Sequence, residues 1–153
     1  MQKLLPALLF LTLLSACGPT VIYEQTKDFP AGGWAYADSA RFEFNVPDTE
    51  QAYDMVLTLT HADNFPTQNT YVKLHTGFPS GKRTSEQVSL QLAGDFGVWL
   101  GDCSGAVCAL EITILRNAKF AKTGGYSLTV EQSGREEILS GISRVGLAVV
   151  EAE

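Results

Sequence analysis

The sequence predicts an all-β fold, a single domain built as an antiparallel two-sheet sandwich of seven or eight strands in the jelly-roll or immunoglobulin-like size range. Three observations predict it. Apolar residues recur at every second position in short runs, the period of a half-buried strand. Turn residues punctuate those runs. No stretch carries the apolar period of an amphipathic helix. The length, 153 residues, suits one domain with one core. Eight Phe, five Tyr and two Trp are enough to fill a gap of about 10 Å between two sheets.

Taken in order, residues 1–16 read as a signal peptide, 17–39 as a tether and 40–153 as the sandwich. Residues 18–39 are aperiodic, and within them Phe29 and Trp34 are too apolar to stay in water, so they are expected to dock on the domain. From Arg41 the period is two: Phe42, Phe44 and Val46 alternate with Glu43 and Asn45. After Pro47-Asp48-Thr49, a second strand runs from about Tyr53 to His61, with Met55, Leu57 and Leu59 on one face. A turn-rich segment over 63–69 precedes a strand at 71–76. There Val72 and Leu74 oppose Tyr71, Lys73 and His75. Pro79-Ser80-Gly81-Lys82 turns the chain. Val88, Leu90 and Leu92 mark the next strand, and Val98-Trp99-Leu100 a short apolar piece. Leu110, Ile112 and Ile114 follow, then Tyr126, Leu128 and Val130. The last segment, about Leu139 to Val150, has glycines at 141 and 146, which point to a bulge or a close backbone approach.

Formal net charge is −6, from 11 Lys and Arg against 17 Asp and Glu. That balance argues against nucleic-acid binding, which needs clustered cations to neutralise phosphate. It also argues against an electrostatic membrane-surface patch.

The amino terminus sets the compartment. A greasy run from Leu4 to Leu14 follows Lys3; it is too short to span a bilayer and has the length of a signal-peptide core. Leu14-Ser15-Ala16-Cys17 matches the bacterial lipobox, in which small residues admit the peptidase and the thiol is alkylated by lipid. Cys17 is therefore the expected lipidation site and the membrane the expected partner through its acyl chains. An ordinary secretory signal is the alternative. Removing the leader takes away Lys3 and no acid, leaving 10 basic groups against 17 acidic ones, a formal −7. Gly18 in place of Asp after the lipidated residue favours the outer membrane. No acidic run follows it, so the expected orientation is towards the periplasm rather than the cell surface.

Two cysteines remain, Cys103 and Cys108, and an even pair in an oxidising compartment reads as one disulfide. The spacing is wrong for a redox C-x-x-C pair, and a zinc site needs two ligands beyond the cysteines, which His61 and His75 are not spaced to supply. No metal or other cofactor is expected. No phosphate loop and no nucleophile elbow occurs. His61 and His75 read as surface or rim residues. Asp48, Asp54, Asp63, Asp95 and Asp102 sit near strand ends, but their spacing matches no compact calcium loop. A glycosidase-type carboxylate pair leaves no local signature, because its two acids can be far apart in sequence. Trp34, Tyr36, Phe65, Tyr71, Phe78 and Trp99 are either core or a contact platform. Phe65-Pro66 and Phe78-Pro79 lie in predicted loops, where binding residues concentrate.

These pieces together resemble the gliding-motility lipoprotein GldH family of Bacteroidota. The likeness is carried by Phe29-Pro30 with Gly33-Trp34, Phe42-x-Phe44-x-Val46, His61 with Phe65-Pro66, and Gln68-Asn69-x-Tyr71-Val72. Thr76-x-Phe78-Pro79-x-Gly81, Trp99-Leu100-Gly101-x-Cys103-Ser104-Gly105 with Cys108, and Gly125-Tyr126-x-Leu128-Thr129 extend it. It covers nearly the whole mature chain. Thr67 and Gly134 depart from the family pattern without touching the fold. The resemblance implies an envelope lipoprotein of the gliding and type IX secretion machinery, with no catalytic residues to carry over.

The expectation is thus a non-enzymatic lipoprotein that contacts other gliding or secretion envelope proteins, with no small-molecule substrate. Its contacts are expected in the loops 63–69, 77–82 and 101–108, with Phe65, Phe78 and Trp99 as candidate partner-binding residues. The alternative is a carbohydrate- or peptidoglycan-binding module.

Overall fold

Alternation is carried through into pairing. The computed structural model describes residues 18–153; the expected leader 1–16 and the expected lipidation site Cys17 lie outside the described residues. The strands are β1 (Val21–Asp28), β2 (Trp34–Ala35), β3 (Ala40–Val46), β4 (Ala52–Ala62), β5 (Asn69–Gly77), β6 (Arg83–Gln91), β7 (Asp102–Ser104), β8 (Val107–Lys119), β9 (Gly124–Gln132), β10 (Ile138–Leu139) and β11 (Ile142–Glu151). One sheet has the order β1-β11-β4-β8-β7 and the other β3-β9-β5-β6, with a two-residue pairing of β2 to β10 outside them. All pairings are antiparallel.

The predicted sandwich is what forms. In β3 the buried residues are Ala40, Phe42, Phe44 and Val46, and those between them are exposed. In β4 they are Tyr53, Met55, Leu57, Leu59 and His61. Val145, Leu147 and Val149 of β11 and Tyr126, Leu128 and Val130 of β9 complete the two inner faces.

The sandwich begins earlier than the sequence reading placed it. Val21–Asp28, assigned there to the tether, is strand β1, paired along β11 from Val21↔Val150 to Asp28↔Arg144. Only Ile22 and Tyr23 of β1 are half-buried, so the segment lacks the apolar alternation that marks inner strands. What holds it is the row of backbone groups along β11 that would otherwise be an open edge. Phe29 and Trp34 do dock: their rings stack 4.8 Å apart, and Trp34 Nε1 donates to the Asp38 carbonyl at 2.6 Å. Val98-Trp99-Leu100 is not a strand. It makes one bridge, Ala93↔Trp99, and the strand comes just after it, at Asp102–Ser104.

The sandwich has two unlike ends. At the entry end the chain begins β1, with the Glu151 amide donating to the Thr20 carbonyl at 2.8 Å. The β3–β4, β5–β6 and β8–β9 turns are at this end too. At the loop end lie the long connections 29–39, 63–68, 92–101 and 133–137. With eleven residues in β4, the ends are about 35 Å apart.

Candidate interaction surface

The loop end is shaped by buried polar groups. β9 points Tyr126, Leu128 and Val130 inward, so Gln132 follows them into the core and is 3% exposed. Its Nε2 donates to the carbonyls of Glu136 (3.0 Å) and Glu137 (3.1 Å), and its Oε1 accepts the Gly134 amide at 2.9 Å. Tyr36 Oη donates to the Gly134 carbonyl at 2.8 Å. The 133–137 loop is thereby pinned from both sides. Gly141, at φ +94°, then turns the chain into β11, and a Cβ there would stand 3.3 Å from the Phe65 ring.

Between this loop and the 63–68 loop runs an open groove of about 1060 Å³. It is lined by Phe65, Pro66, Tyr71, Arg135, Ile138 and Leu139, with Asn69 and Gln87 among its polar residues. Tyr71 (44%) and Ile138 (48%) are the exposed anchors. Asn69 donates to Ser89 Oγ at 3.0 Å, which orients its amide. Beside the groove the 94–101 loop displays Phe96, Val98 and Leu100 to solvent. Phe96 is held at φ +60°, ψ +18°, a left-handed conformation unusual for an aromatic residue.

The three residues singled out from the sequence fall in two places. Phe65 is 6% exposed and Trp99 half-buried, and both pack against His61, with ring centroids 5.9 and 4.6 Å away. Trp99 Nε1 donates to the Asp63 carbonyl at 2.7 Å. Phe65 is therefore a core cap at the groove's edge, not the exposed loop residue expected. Phe78 sits at the entry end, half-buried, with its ring edge-on to Tyr126 at 5.8 Å. The sequence reading misses Phe96 and Ile138 as exposed contact residues, because neither lies in an apolar run of alternating period.

His61 corrects a second expectation. It is fully buried, not at the rim. Nδ1 lies 2.8 Å from the Ala62 carbonyl and Nε2 has no hydrogen-bond partner. The alternation Tyr53, Met55, Leu57, Leu59 already places position 61 on the inner face. His75 does lie on the polar face, with Nδ1 2.6 Å from Ser85 Oγ and Nε2 2.9 Å from Glu131 Oε2. Cys103 and Cys108 face each other across β7 and β8 and are joined by a disulfide. Cys108 is also the cross-strand neighbour of His61. Among the described residues, no three His, Cys, Asp or Glu side chains gather as metal ligands.

Comparison with known proteins agrees with this frame. The GldH lipoprotein family model matches residues 21–149, from the first residue of β1 almost to the end of β11. The gliding motility lipoprotein GldH homolog of Christiangramia forsetii is 23% identical over 148 residues, 92% of this chain and 90% of that protein. The gliding motility lipoprotein GldH of Flavobacterium johnsoniae is 24% identical over 149 residues, 93% and 92% of the two chains. No solved structure matches. A match that takes in the edge strand β1 as well as the core strands covers the whole sandwich, and the chain belongs to the GldH lipoprotein family.

Proposed function

We propose that this protein is a non-enzymatic outer-membrane lipoprotein, anchored by acyl chains on Cys17 and facing the periplasm. In this reading it serves the gliding and type IX secretion envelope machinery through protein–protein contacts. The observation that carries the contact mechanism is the loop end: a groove with exposed Tyr71 and Ile138 beside exposed Phe96, Val98 and Leu100. Apolar and aromatic side chains held out on a rigid frame are interface anchors in chemistry and geometry. Anchoring in the plane of a membrane raises the effective concentration of such a surface towards other envelope proteins.

Crosslinking in intact envelopes, read by mass spectrometry, tests it. Y71S/I138S should lose the crosslinked partner while melting within a few degrees of the parent, because both side chains are exposed. An undiminished crosslink at unchanged stability refutes the loop end as the contact. A second reading, glycan binding, is favoured by Tyr71 lying beside Asn69 and Gln87, an aromatic face next to amide donors and acceptors. It requires a thermal shift with peptidoglycan fragments that Y71S abolishes.

A further inference from the structure

We infer that the entry end of the sandwich is a second interaction surface, and that its partner is an anionic phospholipid bilayer. The inference rests on the proposed anchoring at Cys17. A tether running to residue 39 would let the domain roam, but Thr20 is already fixed by its bond from the Glu151 amide. Cys17 stands three residues before Thr20, a reach of about 11 Å at most. An acylated Cys17 thus holds the entry end against the head groups.

The charge at that end suits the position. Lys82, Arg83, Arg116, Lys119 and Lys122 are half of the ten basic residues left after the leader, and all five are exposed. They lie on the β5–β6 and β8–β9 hairpins and the last turns of β8. Lys119 pairs with Glu50 at 3.5 Å; the other four have no carboxylate within 4.0 Å among the described residues. The two hairpins form one base. Pro79 side-chain atoms lie 3.6 Å from where a Gly124 Cβ would be, and Phe78 and Phe120 both pack on Tyr126.

Acidic residues at the same end are Asp48 and Glu50 of the β3–β4 turn, Asp54 of β4, whose carboxylate accepts the Asn117 amide at 2.6 Å, and Glu151 and Glu153 of the chain terminus. Those elements lie on the β1–β11–β4 side of the first sheet, with β1 packed over β3. The cations extend from there to the other side, on β8, β6 and their hairpins, and the two sets meet at the Lys119–Glu50 pair and where Asp54 takes the Asn117 amide. The lipid therefore holds one corner and the cations the other, so the end lies flat and the loop end points away. At the loop end Asp63, Asp95 and Asp102 would be repelled by the same surface. Net charge alone suggested no membrane patch; segregation of the charges creates one.

The test uses the full lipidated protein in vesicles and the reactivity of its own lysines towards an amine-acylating reagent. On phosphatidylglycerol-containing vesicles, labelling of Lys82, Lys119 and Lys122 should slow about fivefold relative to pure phosphatidylcholine vesicles. Lys27, near the loop end, and Lys73, on the outer face of β5, should not change. High salt should remove the difference. K82E/K122E should return Lys119 to its rate on phosphatidylcholine. Equal labelling on the two membranes, or Lys119 protection that survives the double reversal, overturns the surface. The mass of the Cys17 peptide is read from the same sample. An unlipidated chain that fails to float overturns the anchor and this inference together; a floating chain with evenly labelled lysines overturns the inference alone.

Discussion

Replacing Gln132 by Ala tests how the groove wall is held. Gln132 is buried and makes three hydrogen bonds to the 133–137 loop. Truncation leaves the Gly134 amide and the Glu136 carbonyl without their partner. The Glu137 carbonyl keeps the bond from the Tyr36 amide at 3.0 Å. At about 1 kcal/mol for each orphaned group, plus the lost packing of a buried side chain, Q132A should cost about 2–3 kcal/mol. For a domain of this length that is a fall in melting temperature of roughly 6–12 °C, measured by calorimetry or circular dichroism. Q132E separates hydrogen bonding from packing. It keeps the volume but aims a carboxylate at two carbonyls that need donors, so it should be at least as destabilised as Q132A at pH 7. Its folded-state pKa is then raised. The stability of the protonated form is present below the ordinary carboxyl pKa and lost as pH rises through the raised value. Q132E should therefore recover relative to Q132A in acid. A Q132A protein melting within about 1 °C of the parent would refute the reasoning, since bonds worth the estimate cannot be removed unnoticed.

Two further outcomes follow from single positions. Gly33 sits at φ +114°, and a Cβ there would run into the Leu139 carbonyl and stand 2.8 Å from Ser140 Cα; G33A should cost at least about 2 kcal/mol and loosen the β2–β10 clip, read as faster amide exchange at Tyr36. Burial raises the Tyr53 phenol pKa, and the nearby Asp48 and Glu151 charges add to the rise. The neutral phenol's contribution is complete below pH 10 and lost as pH rises through the raised value, so Y53F should lose stability less steeply above pH 10 than the parent in a pH series of melts.

The all-β class, the inner faces of β3, β4, β9 and β11 and the docking of Phe29 and Trp34 are legible in the sequence, because burial on one side of a strand imprints a period of two. His61 was legible by the same period and was misread only because histidine is polar. Strand β1 was not legible. It is held by backbone bonds to β11, and backbone groups are the same in every residue. Nor was the burial of Phe65, which depends on a groove wall 70 residues further along and on Gly141 turning beneath it. The charge distribution at the entry end is likewise absent from any local window, since the hairpins that carry Lys82 and Lys122 come together only when Phe78 and Phe120 pack on Tyr126. Sequence determines what each strand buries, because that is a local matter of alternate side chains. Tertiary structure decides which edges are covered and which distant charges become neighbours, because both depend on how the strands are ordered in space.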